Sequence, residues 1–578
     1  MLHGDVGLEL GARVAAALRT ALRVEIAPAD AVIRPSTRPG VDYQCNVAMS
    51  LAKTVGRPPR EVAEAIVAHL DSDDLLEPPE IAGPGFVNLV LRREWLQDTA
   101  IALTGDERVG APLADRPRRV ALDYSSPNVA KEMHVGHLRS SIIGDALNRL
   151  LTFAGHEVIP HNHLGDWGTP FGMLIEHLLD VEGDAGSGIS DLNEFYQRAR
   201  EKFDTDEGFA DRARRRVVLL QGGDEPTLAL WRALVEESER HFEHVYQLLG
   251  VQLTAKDNYG ESFYNPYLDD TVAELEAKGL TTLSDGAVCV FPPGFTNREG
   301  EPLPLIVRKR DGGYGYAATD LATVRYWVGE RGATDLLYVV GNPQAQHFQM
   351  IFAVARWAGW LTDAQHAEHI GFGHVLGEGG RHIRTRAGGT IKLVDLLDEA
   401  VERAATVVAE RSDLDGAEQA RVARSVGIGA VKYADLSSDR DKDYVFSWPK
   451  MLAMDGNTAV YLQYANARIL SIVRKAGTLP PPGTPVILAE DAERALVLVL
   501  LRWPAAVRAT TETYHPHTLC GYLYDLATAW STFYERCHIL SPETPADVRA
   551  SRLVLARLTS RTLTLGLSLL GIDAPDRV

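Results

Sequence analysis

The sequence predicts a doubly wound α/β domain of the Rossmann type, a parallel sheet with helices on both faces, preceded by an α+β domain and followed by an all-α bundle. Three observations carry that expectation. From Pro117 to about Gly373 short apolar runs alternate with amphipathic helical stretches, the pattern of a parallel sheet with crossover helices. Beyond Ala400 the apolar spacing is helical almost without a break. Before about Pro112 helical and strand-like segments mix. The expected divisions are 1–112, 117–400 and 401–578, with a helical insertion at about 184–250.

In the first division Gly7 to Leu22 has helical periodicity, and Val41-Asp42-Tyr43-Gln44-Cys45-Asn46 is expected to open a second helix through Ala52. Pro59 starts a third, which ends near Leu70. Ile81 to Leu89 reads as a tight turn at Gly83-Pro84-Gly85 entering a strand. In the second division Val120 to Leu122 is a short β-prone run, and Ser125, Ser126, Pro127 and Asn128 break it. From His137 apolar residues recur through Leu138, Ile142, Ala146 and Leu150, giving strand, loop and helix. Val158 to Asn162 is the next strand, followed by the glycine-punctuated loop Gly165 to Gly172. His163 and Trp167 sit at that strand end, where ligands bind in such sheets. Asp184 to Gly250 is charged helix that reads as a solvated insertion, and Val251 is expected to restart the sheet. Helices follow at Val401–Glu410, Ala417–Tyr433, Ala459–Lys475, Asp491–Thr511, Leu519–Arg536 and Ser551–Leu570, with no fixed repeat, so this part is a bundle.

With 578 residues, 45% apolar and 24% charged, the chain has the composition of a multi-domain globular protein. No apolar run is long enough to cross a bilayer, and Met1 to Arg19 lacks a signal peptide's basic start and apolar centre, so a cytoplasmic, membrane-free protein is expected. Cys45, Cys289, Cys520 and Cys537 have no CxxC pairing, which suggests neither disulfides nor zinc. A net charge of −19 argues against nonspecific coating of nucleic acid, DNA included. From Asp441 to Val578, however, 14 basic residues meet 13 acidic ones, so a localised RNA-binding face fits best there.

The chemistry concentrates at His134-Val135-Gly136-His137. Two imidazoles flank a glycine at a helix entrance, where unpaired backbone N–H groups and the helix dipole favour an anion, phosphate first. Gly136 also lets a flat base lie against bare backbone. Read alone, the tetrapeptide is better taken as a helix cap with two partly exposed histidines, and its flanks change that reading. Further on, Gly379-Gly380-Arg381-His382-Ile383-Arg384-Thr385-Arg386-Ala387-Gly388-Gly389 is a glycine-flanked loop with three arginines suited to clamping a phosphate group. Asp123 closes the first strand, and Asp320 shares a helix face with Tyr316 at i, i+4.

Asp123-Tyr124-Ser125-Ser126-Pro127-Asn128-Val129-Ala130-Lys131 before the tetrapeptide, and Leu138-Arg139-Ser140 after it, resemble the signature of the arginyl-tRNA synthetases, class I enzymes whose first motif is written HIGH. The resemblance runs from about Gly4 to about Pro575. It implies that the α/β domain is catalytic, that L-arginine and ATP form arginyl-adenylate and pyrophosphate, and that the 2′-hydroxyl of the terminal adenosine of tRNA(Arg) then takes the arginyl group. It implies further that Tyr316 and Asp320 bind the guanidinium with Asp123 as companion carboxylate, and that Asn128 and Gln344 hold the α-amino group with Ser126 and His137 nearby. The residue types agree, since a planar cation with five N–H donors calls for carboxylates within bidentate reach. His134, Gly136 and His137 match the ATP motif. The arginine loop stands where class I enzymes carry KMSKS, and it lacks that motif's lysine. Lys131 is where members lacking it carry a compensating one. Lys131, His134, His137, Arg384 and Arg386 are therefore the expected catalytic residues, neutralising the phosphates during in-line attack on Mg2+-bound ATP, with no metal ligand from the protein.

The segments Asp42 to Asn46 and Ala82 to Asn88 resemble the family's N-terminal domain, which is associated with the D-loop at the tRNA elbow. Asp439 to Trp448 and Gly456 to Arg468 resemble its anticodon-binding domain, where Phe446, Tyr461, Gln463, Tyr464 and Arg468 would offer flat faces and donors to unpaired bases. A monomer is the expected state, and tRNA is expected to be bound before activation. Two alternatives compete: a class I ligase for another amino acid, and an inactive or regulatory tRNA-binding paralogue. The first should lack the carboxylates at 123 and 320, and the second should carry damaged motifs. The tail Ala574 to Val578 departs from the family's methionine ending.

Overall fold

Val120-Ala121-Leu122 is apolar without alternation, as a strand covered on both faces must be, and it lies in the inner strand Arg119–Asp123 of a four-stranded parallel sheet. The computed structural model describes residues 4–182, 192–377, 379–381, 391–410 and 414–578. Across the sheet the strands run His366–His369, Asp335–Tyr338, Arg119–Asp123 and Glu157–His161. Asp123 pairs level with His161 on one side and Tyr338 on the other, and Tyr338 with His369. All four carboxyl ends therefore finish on one line. The chain pairs Arg119–Asp123 first on one side and, much later, on the other, so the gap between Asp123 and Tyr338 is a topological switch point.

The first crossover is the helix Val135–Phe153, of whose 19 residues 14 are buried. The sheet covers one face; helices Leu393–Ala409, Gly416–Leu436, Trp503–Thr513 and Ala546–Leu569 pack around the rest. Its closest backbone approach is at Gly144, where an added Cβ would lie 2.2 Å from Cβ and Cγ of Tyr124.

The insertion is helical as expected: Leu192–Thr205, Glu207–Gln221 and Glu225–Leu249 follow Pro170–Glu182. Its outer faces carry solvated pairs such as Arg200–Asp204. The inner face of Glu225–Leu249 instead buries Leu234, Ser238, Phe242, Val245, Tyr246 and Leu249 at helical spacing. Val251 does not restart the sheet. Residues 251–264 turn through two short 3-10 segments, Ala255–Asp257 and Glu261–Tyr264, pinned by Asn162 N to Asp257 O at 2.8 Å and Tyr259 N to Asn162 O at 3.0 Å. Val251 and Leu253 are buried in that loop, which in sequence looks like the start of a strand. A separate antiparallel sheet of Thr281–Ser284, Ala287–Val290 and Leu305–Arg308, not anticipated from the sequence, follows.

The N-terminal unit is a four-stranded antiparallel sheet, ordered Ile33–Pro35, Tyr43–Cys45, Phe86–Leu89, Glu80–Ala82, with helices Val6–Leu22, Val47–Val55 and Pro59–His69. Tyr43–Cys45 is thus a strand and not the opening of a helix; Tyr43 and Cys45 are buried on either side of the less buried Gln44. Three residues are too few for a two-residue period to stand out. In the C-terminal third the expected helix Asp491–Thr511 is two, Asp491–Leu500 and Trp503–Thr513, because Pro504 cannot donate to a continuous ladder and instead occupies a first turn. Leu393–Ala409 runs unbroken through position 400, so the expected division at 400/401 falls inside a helix. All four cysteines are buried and free, and no helix among the described residues is long and apolar enough to cross a membrane.

Gly144→Ala should destabilise the fold by about 1–3 kcal/mol through overpacking against Tyr124. Urea unfolding measures it; an unchanged midpoint would mean that the helix and strand are not in the contact described.

Candidate active site

The loop after Arg119–Asp123 is strained and heavily braced. Ser125, Ser126 and Ala130 have φ of 72°, 49° and 61°, a region that side chains with a Cβ rarely occupy. What holds them is a set of short hydrogen bonds. Ser125 N–H donates to Ser140 Oγ at 2.8 Å, Ser126 N–H to Asn162 Oδ1 at 3.0 Å, and Ala130 N–H to Ser238 Oγ at 2.9 Å. The Ser125 hydroxyl also meets Tyr246 Oη at 2.8 Å. Ser238 and Tyr246 belong to the inner face of the insertion, which therefore braces the site. Asn128 is exposed over Gly165, where a Cβ would lie 2.3 Å from Asn128 Oδ1.

At the helix entrance His134 is the N-cap and His137 closes a capping box. His134 Nδ1 accepts from Gly136 N–H at 3.0 Å, and His137 Nδ1 accepts from His134 N–H at 3.1 Å. Val135 N–H donates to Ile391 O at 3.3 Å and His137 N–H to His134 O at 2.8 Å. The expectation of unpaired amides is thus not met, because these short local bonds consume them. The anion-binding donors are moved onto the rings: an Nδ1 that accepts leaves the imidazole proton on Nε2. Burial, and then its neighbour His134, pull the His137 pKa down to about 3. Burial and Lys131 lower that of His134. Both rings are neutral donors at pH 7, with centroids 4.2 Å apart. Gly136 is required, since a Cβ would lie 2.6 Å from the His134 ring. Lys131 lies 4.5 Å above the Tyr196 ring of the insertion.

These elements meet in a cleft of about 390 Å³ at the switch point, lined by Asp123, Ser126, Asn128, Gly136, His137, Tyr316, Asp320 and Gln344 among others. Every residue expected to bind the amino acid is there. Asp123 is buried, with Oδ1 accepting from Ser126 Oγ at 2.8 Å and Oδ2 3.2 Å from His161 Nδ1. Burial pushes its pKa up, but the His161 imidazole and its hydrogen bond outweigh that and hold the carboxyl below its ordinary value. Asp320 Oδ2 lies 2.5 Å from His347 Nε2. Burial opposes protonation of His347, and Asp320 overcomes it, so the imidazole pKa is raised. Tyr316 stands 77% exposed at the mouth.

Three lining groups had no chemical reading in the sequence: His163, placed there only by its strand end, His347, and Glu261. Burial, then the charges of Asp166 and Asp320, raise Glu261 to about 7. Glu261 sits in a short turn after the misread segment at Val251, so no periodicity pointed to it. The cleft is a negative wall that a cation would complete.

Arg384 and Arg386 lie outside the described residues. On the far side of that stretch Leu393 N–H donates to Met133 O at 2.9 Å, and Lys392 pairs with Glu132 at 2.9 Å, so the chain re-emerges beside His134. In the C-terminal third the five expected contact residues divide. Phe446 is buried against Trp448, and Gln463 is buried with Nε2 donating to Ser425 O and Asp573 O at 3.1 and 2.7 Å. Both are core groups and cannot stack on bases or read them. Tyr461, Tyr464 and Arg468 share one face of Ala459–Ala476; Tyr464 and Arg468 are exposed, with Arg468 over Tyr534 at 4.5 Å.

The pKa shifts have opposite consequences. His137 titrates near 6.5 when unfolded and near 3 when folded, so its contribution to stability is complete above pH 6.5 and lost as pH falls towards 3. That of His347, raised, is complete below its unfolded value and lost as pH rises through the folded one. Ring NMR should show His137 untitrated from pH 8 to 5 while His347 titrates above 6.5, and Asp320→Asn should lower the His347 midpoint. Titration of His137 near 6.5 would refute the buried-imidazole arrangement.

Comparison with known proteins meets this geometry. Residues 100–448 match the model of the class I tRNA synthetase (R) catalytic domain, 8–91 that of the arginyl-tRNA synthetase N-terminal domain, and 462–578 that of the DALR anticodon-binding domain. An arginine–tRNA ligase of Thermobifida fusca (strain YX) is 53% identical over 574 residues, 98% of this chain and 99% of its own. One from Cellvibrio japonicus (strain Ueda107) is 49% identical over 95% of this chain and 96% of its own. The arginyl-tRNA synthetase structures of Plasmodium falciparum and Thermus thermophilus superpose with TM-scores of 0.87 and 0.81 at 28% and 27% identity. They cover 100% and 99% of this chain, and 99% and 100% of their own. The chain belongs to the arginyl-tRNA synthetases.

Proposed function

We propose that the cleft binds L-arginine with its guanidinium between Asp320, Tyr316 and the negative wall of Asp123, and its α-amino group on Asn128 and Gln344. The activity is that of an arginine–tRNA ligase, with arginine, ATP and tRNA(Arg) as substrates. The single observation that carries the site reading is the convergence of those residues with Gly136 and His137 in one cleft at the sheet's switch point, with the His134 ring 4.2 Å from that of His137. Asp123 has both oxygens engaged by Ser126 and His161, so it contributes charge more than a free fork, whereas His347 engages only Oδ2 of Asp320. The carboxylates of Asp123 and Asp320, with Glu261 ionising as a cation enters, favour a cation over neutral or anionic side chains, and citrulline lacks the charge.

ATP lies with its phosphates towards the Nε2–H groups of His134 and His137, with Lys131, Arg384 and Arg386 as the remaining neutralising groups. The arginine carboxylate attacks the α-phosphorus in line, the bond to the pyrophosphate oxygen breaks, and no protein nucleophile takes part. Mg2+ enters with the nucleotide. Asp123, His161 and His163 place one ligand atom each within 4.8 Å of one another, but two imidazoles suit a softer ion than Mg2+. The N-terminal domain, 1–112, takes the tRNA elbow, and the bundle from about 401 takes the anticodon through Tyr461, Tyr464 and Arg468. The protein acts as a cytoplasmic monomer, without DNA. An inactive paralogue is disfavoured because His134, His137, Asn128, Asp320 and Gln344 are all intact.

Arginine-dependent ATP–pyrophosphate exchange, with and without tRNA and against lysine and citrulline, tests the reading. Exchange with arginine alone among the three is expected, and its absence in both conditions would overturn it. Asp320→Asn should cost ~3–5 kcal/mol, as when one partner of a buried charged pair is removed, and lower kcat/KM for arginine by at least ~10²-fold. Tyr464→Ala and Arg468→Ala should raise the KM for tRNA with the melting temperature unchanged; Phe446→Ala and Gln463→Ala should lower the melting temperature instead.

A further inference from the structure

The helix that begins at His134–His137 carries charges into the protein interior that the cleft does not use. Arg139 is 1% exposed and Asp145 0%, and neither lines the cleft. Their partners lie on Gly416–Leu436, in the C-terminal third: Arg139 Nε to Asp435 Oδ2 at 3.3 Å, and Lys432 Nζ to Asp145 Oδ2 at 4.0 Å. Asp435 is 1% exposed and Lys432 0%. Each helix thus presents one cation and one anion to the other. A slip or rotation would strand a buried ion without its partner.

The rest of the junction is tied to the same atoms. Lys432 Nζ donates to Leu249 O at 2.7 Å; Asp145 accepts from Gln252 N–H and Arg149 Nε, both at 2.8 Å; Arg149 Nη2 donates to Gly250 O at 2.7 Å. Residues 249–252 are the exit of the insertion whose Tyr246 and Ser238 brace the strained loop. Arg139 Nη1 donates to Lys442 O at 2.9 Å. Gly571, at φ +67°, closes the cluster from outside, where a Cβ would lie 2.7 Å from Lys432 Nζ and 2.8 Å from Asp145 Oδ2. Buried ion pairs add little stability over apolar packing of the same volume, so register is what this arrangement supplies.

We infer that Arg139, Asp145, Lys432 and Asp435 are positioning residues: they lock the helix bearing the ATP-facing imidazoles, and the insertion that braces the strained loop from Ser125 to Ala130, to the helix Gly416–Leu436. The inference rests on ATP lying at His134–His137. Through it a residue of Gly416–Leu436, remote in sequence from either substrate's site, sets the geometry of in-line attack.

Lys432→Met tests it with the full-length protein, because Asp145 keeps Arg149 and Gln252 as partners. With active sites counted by the first-turnover release of pyrophosphate in the presence of tRNA, KM for ATP should rise at least ~5-fold and kcat fall at least ~10-fold, the size expected of a small misplacement of reacting groups. KM for tRNA should stay within about twofold. Mere destabilisation would lower the active fraction and leave KM for ATP alone. Should Lys432→Met not fold, Gly571→Ala disturbs the cluster with every charge in place and should give the same split. Values of KM for ATP and kcat within twofold of the parent would overturn the inference. A parallel His137→Asn separates the two readings: if it too leaves KM for ATP unmoved, ATP is not at the helix entrance, and if it alone raises it, only the positioning role fails.

Discussion

The structure depends on burying one helix from all sides. Val135–Phe153 is covered by the parallel sheet and by four helices from the later part of the chain, so its buried polar residues, Arg139, Ser140, Ser141, Asp145 and Asn148, are cut off from water and each needs a partner. That requirement explains features that otherwise look unrelated. Ser140 and Ser141 bond to the preceding loop, Arg139 and Asp145 find opposite charges on Gly416–Leu436, and Gly144 admits Tyr124. The helix is the common wall of the cleft and of the C-terminal bundle, and its two ends serve different neighbours.

The same burial decides the chemistry at the helix entrance. An exposed N-terminus would offer backbone amides to a phosphate, but here the amides are spent on histidine rings and on Ile391. Donor capacity moves outward by one ring, to Nε2 atoms that stay neutral because burial disfavours the imidazolium. The cleft thereby keeps its charges segregated. Carboxyl groups, Asp123, Asp320 and the partly ionised Glu261, line one side of the cleft, and the neutral His137 ring lines another. A cationic side chain and an anionic phosphate chain can lie side by side without sharing partners. The strain at Ser125, Ser126 and Ala130 is what aims Ser126 and Asn128 into that arrangement, and the insertion's hydrogen bonds keep it from relaxing.

Much of this was legible in the sequence where a pattern was long or chemically distinctive. The strand–loop–helix from Val120 to Leu150 follows from an apolar run, four turn-forming residues and a helical period, and the cleft residues from the motif they interrupt. Short or irregular pieces were not legible. Tyr43–Cys45 is a three-residue strand, Val251 and Leu253 are buried in a loop, and the sheet of Thr281 to Arg308 is made of four-residue strands with weak alternation. Burial was the other blind spot. Phe446 and Gln463 have the side chains of an RNA-binding surface and sit in the core, while Ser238 and Tyr246 come from a charged helix and reach the site. Which face of a helix turns inward depends on neighbours that sequence spacing alone does not name.

One cleft, on this reading, takes a guanidinium at Asp320 and a triphosphate at the paired imidazoles. A crystal structure with L-arginine and a non-hydrolysable ATP analogue tests it most directly. Guanidinium nitrogens are expected within hydrogen-bonding distance of Asp320 and Tyr316, and phosphate oxygens on Nε2 of His134 and His137. An amino acid bound in the reverse orientation, or a triphosphate away from both rings, would contradict it.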